Sequence, residues 1–338
     1  MTVSNAFNQP HELSAELRDR ILAFAAKFGY HGPSPAGRML RTGKTGSIAL
    51  FNPDPIPHLF EDAHASDFMA GISEVCEKHQ IGLTVLPPVK DVSKVTAIDK
   101  VAVDGFILYA IPDHSPIAER VLARRLPVVT VDMTTLRNIA SIRIDDRVGA
   151  RTAAEHLIKL GHRKIVILSL QMHPDGLSGP ASSDRIRKCR TPVARERLAG
   201  YYDAFKKARI DPDKIEVYEI RTSEVRESFS WATEFLKTKS RRPTAVLAMS
   251  DRIASSAIQA AHHLGLRVPL DVSIIGFDDA FLAQYTLPPL TTIRQPSRMK
   301  GNLAGEIVVG DLPYPDRVHL LPTELIIRDS TAAPIRQK

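Results

Sequence analysis

From Ser47 onward this 338-residue chain alternates short, uninterrupted apolar runs with longer amphipathic stretches. That alternation limits the available folds more than any other feature. SIALF (Ser47–Phe51), GLTVL (Gly82–Leu86), GFILYA (Gly105–Ala110) and PVVTVD (Pro127–Asp132) come first. KIVILSL (Lys164–Leu170), KIEVYEI (Lys214–Ile220), TAVLAM (Thr244–Met249) and VSIIGFDD (Val272–Asp279) follow. Continuous apolar runs mark strands covered on both faces, as in parallel sheets. Between them the periodicity predicts helices over Asp67–Lys78, Arg147–Leu160 and Arg195–Lys207, the last with Leu198, Tyr202 and Phe205 on one face. The fold class is therefore α/β with doubly wound parallel sheets. The strands are too many for one ordinary sheet, and the series divides near Ile142–Asp146, which predicts two similar lobes with a cleft between them. Ligands of such sheets bind beyond the carboxyl ends of the strands. The cleft should be lined by residues at the ends of the FNP, VTVD, LAMSD and GFDD segments.

Composition excludes several classes. No apolar run approaches the roughly 20 residues needed to span a bilayer, so no membrane partner is expected. The N-terminus lacks the charged and apolar regions of a secretory signal. With two cysteines, Cys76 and Cys189, neither a disulfide framework nor a cysteine-based zinc site is expected. Together these predict a cytoplasmic protein. The net charge of +7 is compatible with a polyanionic partner without requiring one. Dinucleotide-binding, P-loop, zinc-protease and nucleophile-elbow motifs are missing. The twelve histidines show no metal-ligand spacing, and His162 reads as a structural residue at a helix-to-strand turn. No enzymatic activity, cofactor or metal is expected.

Residues 1–45 differ. LSAELRDRILAFAAKFGY predicts a helix capped by Ser14, with Leu17, Ile21, Phe24, Ala25 and Phe28 on its apolar face. A Gly- and Pro-rich basic linker follows, with a short helix predicted over Pro35–Leu40.

These segments resemble the lactose/galactose-repressor (LacI/GalR) family of bacterial regulators. TVSNAFN, AGRMLRTGKTGSIAL, VDGFILY, LPVVTVD, AAEHLIKLGHRKIVIL, RLAGYYDAF, AMSDRIASSAIQAAHHLGLRVPLDVSIIGFDD, LPPLTTIRQP and LPTELIIRDST carry the likeness. They occur in the family's order and near its spacing along almost the whole chain. The resemblance implies two α/β lobes of periplasmic-binding-protein type behind an all-α helix-turn-helix headpiece and hinge. It also implies a homodimer, double-stranded operator DNA as partner, and a small-molecule effector such as a sugar or nucleoside between the lobes.

The implied boundaries are 1–45 for a partial headpiece and hinge, 46–145 plus about 297–312 for the first lobe, and 146–296 plus about 313–330 for the second. Residues 331–338 form a tail. Thr2, Val3, Ser4 and Asn5 match the family's recognition helix, whose preceding helix and turn are missing, so Met1 is expected to be an internal methionine of a longer protein. A genuinely shortened, DNA-blind sensor is the alternative, with a solute-binding protein as a more distant one.

By resemblance, Thr2, Ser4 and Asn5 are the groove-facing residues, while Val3 and Ala6 pack inward. Leu40 matches the hinge leucine that wedges into the minor groove, with Arg38 as its basic partner and Arg41 and Lys44 on phosphates. Gly37 stands where the family commonly has alanine, at a cost of up to about 1 kcal/mol of helix propensity.

In the cleft, Arg197 matches a family position whose guanidinium holds ligand oxygens. Asp278 and Asp132 are candidate hydroxyl acceptors. Ser250 replaces the usual asparagine, and Ser297 occupies a position often aromatic in sugar binders, which argues against a simple hexose. Asp279 and Arg195 read as a structural residue and a surface charge. The insertion Gln171–Pro192 reads as a mobile surface loop in preference to a lid.

Overall fold

The computed structural model describes the chain except Met1, Gln9, His31, 33–34, Lys90, Val92, Val95, 222–223, 313–317 and 336–338. Three helices open it: α1 (Thr2–Asn8), α2 (Ala15–Lys27) and α3 (Pro35–Thr42). The first α/β region comprises β1 (Ser47–Phe51), α4 (Ile56–Glu61), α5 (Ala63–His79), β2 (Gly82–Leu86), α6 (Ala97–Lys100), β3 (Phe106–Tyr109), α7 (Pro116–Leu122), β4 (Val128–Val131) and β5 (Ala140–Ile144). The second comprises α8 (Asp146–Lys159), β6 (Ile165–Ser169), β7 (Gly179–Pro180), α9 (Ser183–Arg187), α10 (Pro192–Lys207), β8 (Glu216–Glu219), α11 (Val225–Lys237), β9 (Ala245–Ala248), α12 (Asp251–His263), β10 (Ser273–Ile275) and β11 (Thr292–Arg294). The chain ends with α13 (Ser297–Val309), β12 (Val318–Leu321) and β13 (Glu324–Ile326).

Two sheets result. The first has six strands in the order β12-β5-β4-β3-β1-β2, all parallel. The second runs β10-β9-β6-β8-β7, parallel except at the edge strand β7. The runs that form the central strands are buried on both faces, with Leu50, Ile107, Val129, Ile167 and Leu247 fully enclosed, whereas the edge strand β2 is mostly half-buried. Burial of each such side chain is worth about 1.5–3 kcal/mol. On α10, Leu198, Tyr201 and Phe205 face the core and Tyr202 is only half-buried.

The chain crosses between lobes three times: after β5, between β11 and α13, and between β12 and β13. The third crossing corrects the boundary expected near residue 312, because Val318–Leu321 pairs with Ser141–Ile144 in the first sheet. β12 is an edge strand with alternating exposure, so it lacks a continuous apolar run, and neither it nor its neighbour β5 is among the strands that the sequence predicts. The expected tail also begins inside the fold: Ala332 O accepts from His162 Nε2 at 2.8 Å and Ser273 Oγ at 3.1 Å. His162 is thus a structural residue, its Nδ1 also bonded to Thr244 Oγ1.

Helix α13 seats closely on α5 through two glycines. A Cβ at Gly301 would fall 2.1 Å from Phe68 O, and one at Gly71 2.1 Å from Arg298 O. This contact brings the first turn of α13, and Lys300 with it, against the first sheet.

The insertion contains regular structure. It contributes β7 and α9 and is held by the buried Glu219, whose carboxylate accepts Met172 N at 2.6 Å and is paired with Arg185. Arg185 also reaches Asp175 at 2.7 Å, so this charge pairing ties the segment to β8.

Candidate functional site: the cavity between the lobes

A cavity of about 350 Å³ opens where the strand ends of the two sheets face each other. The first lobe supplies Asn52, Asp54, His58, Asp62, His64, Tyr109 and Asp132; the second supplies Gln171, His173, Arg197, Ser250 and Asp278. Residues just past strands β1, β4, β9 and β10 therefore line it, as the sequence predicts.

Several of these positions carry unusual backbone. Ala110, Asp132, Asp278 and Asp279 directly follow or lie just beyond strand ends and have φ of 54°, 52°, 123° and 53°. Non-glycine residues hold such conformations at a cost of about 1–3 kcal/mol, and they concentrate at functional sites. At Asp278 the turn is fixed by Asp251, fully buried, which accepts Ala280 N at 2.8 Å and Thr292 Oγ1 at 2.5 Å. Asp279 is structural as expected, accepting Arg294 Nε at 2.7 Å and Arg328 Nη2 at 2.6 Å.

Arg197 is buried on α10. Its Nε donates to Asp146 Oδ1 at 2.8 Å and its Nη1 to Met249 O, while its plane lies 3.5 Å from the Phe277 ring centroid. Asp278 Oδ1 stands 3.8 Å from that guanidinium and accepts Gln295 Nε2 at 2.5 Å. Burial pushes the Asp278 carboxyl up to about 7, against the opposing pull of Arg197. Burial likewise raises Asp54 and Asp146. His64 is held well below its ordinary value by burial, then by Lys300, Arg197 and His58, so its ring is neutral at pH 7. Tyr109 is raised well above the phenol range, first by burial and then by nearby carboxylates, and remains a hydroxyl donor.

The wall is thus rich in acceptors. Asp132 gives Oδ2 to Lys300 Nζ, while its buried Oδ1 has no hydrogen-bond partner. Such an arrangement suits a ligand with several hydroxyl or amine donors.

Of the sequence-derived cleft residues, Asp132, Arg197, Ser250 and Asp278 share this wall. Ser250 also caps α12, its Oγ accepting Ile253 N at 3.2 Å. Ser297 does not line the cavity. It sits behind His64, with Oγ 2.5 Å from His64 Nδ1, because the first turn of α13 directs it at that ring. Arg195 is a partly exposed charge, as expected, and pairs across the lobes with Asp113. Sequence reasoning missed Asp54, His58, Asp62, His64, Tyr109 and Lys300. Only Asp62 left a local signal, as the N-cap of α5 accepting His64 N and Ala65 N.

In the headpiece, Asn5 Nδ2 donates to Glu12 Oε2 at 2.5 Å. Ala6 is buried, but Val3 is exposed, correcting the expectation that both pack inward. The α2 cap at Ser14 forms as expected, with Leu17 N 3.4 Å from Oγ. Its apolar face is largely uncovered, Phe24 and Phe28 being 65% and 74% exposed. Leu40 is 84% exposed on α3, and Arg41 is exposed beside it. The side chains of Thr2, Ser4 and Arg38 lie outside the described residues.

Two parallel α/β lobes closing on a polar cavity, with small helices ahead of them, define a ligand-sensing domain joined to a headpiece. Residues 154–331 match the periplasmic binding protein-like domain family. The HTH-type transcriptional regulator Rv3575c of Mycobacterium tuberculosis is 36% identical, over 98% of this chain and 93% of its own length. A LacI-family regulator from Corynebacterium glutamicum superposes with a TM-score of 0.76 at 30% identity, covering 98% of this chain and 94% of that one. The lac repressor dimer bound to operator and the anti-inducer ONPF gives 0.74 at 26%, with coverages of 98% and 95%. The chain belongs to the LacI family of helix-turn-helix transcriptional regulators.

Proposed function

We propose that this chain is a cytoplasmic repressor whose affinity for operator DNA is set by a small polyhydroxylated effector bound in the interlobe cavity. The observation that carries this reading is the single wall shared by Asp132 of one lobe and Arg197 and Asp278 of the other. A ligand touching both binds the closed arrangement better than the open one, the differential affinity that a switch requires. Its acceptors favour a ligand with several hydroxyls, and Ser250 in place of an amide separates it from simple hexose sites. No chemical turnover is assigned to it.

Asp104 supports the coupling to DNA, since it holds the chain emerging from α3 against the first lobe. A homodimer would place two α3 helices side by side, with Leu40 toward the minor groove, Arg41 on phosphates and α1 toward the major groove. The exposed Phe281, Tyr285 and Leu287, which flank a groove along α12, are the surface assigned to the second copy.

Fluorescence anisotropy on a palindromic promoter duplex, at fixed salt, tests the reading with and without pentoses, hexoses and nucleosides. A sugar or nucleoside that shifts operator affinity supports it; operator binding indifferent to the whole panel defeats it. A second reading, a sensor without specific DNA binding, is favoured by the uncovered apolar face of α2. Placing a relative's N-terminal helix and turn ahead of Thr2 separates the two, because only the DNA-binding reading predicts a gain in operator affinity.

A further inference from the structure

Lys300 is fully buried on α13, yet it is absent from the cavity wall. Its Nζ donates to Asp132 Oδ2 and, at 2.8 Å, to Gln295 Oε1. Gln295 in turn donates to Asp278 Oδ1. A buried lysine costs several kcal/mol in desolvation unless its partners repay it, so its place in an otherwise apolar helix face requires an explanation. Asp132 supplies one: it is also buried and lines the cavity, its backbone is left-handed, and its buried Oδ1 has no hydrogen-bond partner among the described residues.

We infer that Lys300 is a positioning residue for the effector site: it balances the Asp132 charge through Oδ2, so that Oδ1 is presented as a charged acceptor to a donor group of the effector, and through Gln295 it ties that acceptor to Asp278 on the opposite lobe. The inference rests on the cavity being the effector site. Lys300 itself does not touch the ligand. The crossover segment between β11 and α13 thus carries a polar relay, Asp132–Lys300–Gln295–Asp278, from the floor of one lobe to the rim of the other.

The groups facing this pair come from several elements. Tyr109 on β3, Asp146 on α8 and Asp278 after β10 interact electrostatically with one or both members. His64 on α5 feels Lys300, and Arg197 on α10 stands beside Asp278. A test must therefore isolate the pair from this background.

Thermal melts of the whole chain at pH 5 and pH 8, for wild type, Lys300→Met, Lys300→Arg and Asp132→Asn/Lys300→Met, do so without any effector. Lys300→Met leaves an uncompensated carboxylate that is most costly where it is ionised. A loss on the order of 10 °C is expected at pH 8, with much of it recovered at pH 5. Lys300→Arg should retain part of the pairing. The double variant removes both charges, so its melting point should recover at pH 8 relative to Lys300→Met.

A Lys300→Met loss that is the same at both pH values, or a double variant no better than the single one, overturns the inference and leaves Lys300 a packing residue. If Lys300→Met does not fold, folding of the double variant supports the pairing and failure of both overturns it. In the same melts, sugars and nucleosides that stabilise wild type should lose that effect on Lys300→Met at pH 8; retained stabilisation overturns the positioning role. A panel that stabilises nothing in wild type counts against the effector site itself, whereas the effector-free pH comparison still decides the pairing.

Discussion

Asp104 binds the chain leaving α3: its carboxylate accepts Thr45 N at 2.7 Å and Gly46 N at 2.9 Å, with Thr45 Oγ1 at 3.0 Å. β1 begins at the next residue, Ser47, so this carboxylate ties the segment leading out of α3 to the first lobe. Charge-assisted bonds of this kind contribute about 1.5–3 kcal/mol each when well made. Asp104→Ala should leave effector affinity within about twofold while reducing the effector's influence on operator binding. Parallel titrations of effector and operator check it; equal losses in both would contradict the linkage.

The lobes are held together beside the cavity by Asp113. It accepts from Arg195 and, at 2.6 Å, from Thr134 Oγ1, and its backbone N–H donates to Arg190 O at 2.9 Å. Arg195 is partly exposed, which limits the pair to about 0.5–1 kcal/mol. Asp113→Ala should therefore favour the open arrangement only mildly, weakening effector binding about two- to fivefold. Small-angle scattering should show a larger radius of gyration for the ligand-free variant, and an unchanged radius with unchanged affinity would rule this latch out.

Arg197 offers a sharper test. Replacing it with alanine strands Asp146 in the interior, and loss of one partner from a buried pair costs about 3–5 kcal/mol. Lysine cannot reproduce the three-way contact with Asp146, Met249 O and the Phe277 ring, so Arg197→Lys should also destabilise. Urea unfolding measures both; a loss below about 1 kcal/mol in Arg197→Ala would show that the pair is not a net anchor.

Asp278 predicts a pH dependence. Its carboxyl is pushed up to about 7 by burial, whereas an unfolded aspartate titrates near the ordinary value of about 3.9. The folded state therefore holds this proton more tightly than the unfolded state. Stability attributable to Asp278 should be highest below about pH 4, decline as pH rises, and level off above about pH 7. Asp278→Asn should remove this component, and the difference between the two pH–stability curves should slope only in that window. A flat difference curve would show that the carboxyl is not raised.

Glu219 pins the Gln171–Pro192 segment through Met172 N and Arg185. Glu219→Ala should destabilise by about 2–4 kcal/mol, as expected when a buried charged partner is removed, and should open residues 173–190 to proteolysis. Limited digestion with mapped cleavage sites checks it; cleavage elsewhere at an unchanged rate would count against the anchor.

Periodicity placed eight strands, β1 and β2 at their observed bounds and the others within one to four residues at each end, and located the lobe division near Ile142–Asp146. The sequence likewise placed Asp132, Arg197, Ser250 and Asp278 near one another, because each follows a recognisable strand end or matches a family position. It did not reveal β12, whose half-exposed pattern carries no continuous apolar run, nor the side chains of α4 and α5 that complete the cavity. It did not reveal the partner of Arg195, because Asp113 lies 82 residues away in the chain.

Local order is thus written in the sequence by itself: apolar runs bury on both faces of a parallel strand, and capping residues start helices wherever they occur. The partnerships between distant groups belong to the tertiary structure. Lys300 and Asp132 are separated by 168 residues, and nothing local to either marks it as half of a pair. Only the close seating of α13 on α5, which Gly301 and Gly71 permit, brings the ammonium to the carboxylate. The physical reason is that strand and helix preferences arise within a few residues, whereas burial of a charge is decided by whatever the fold happens to place beside it.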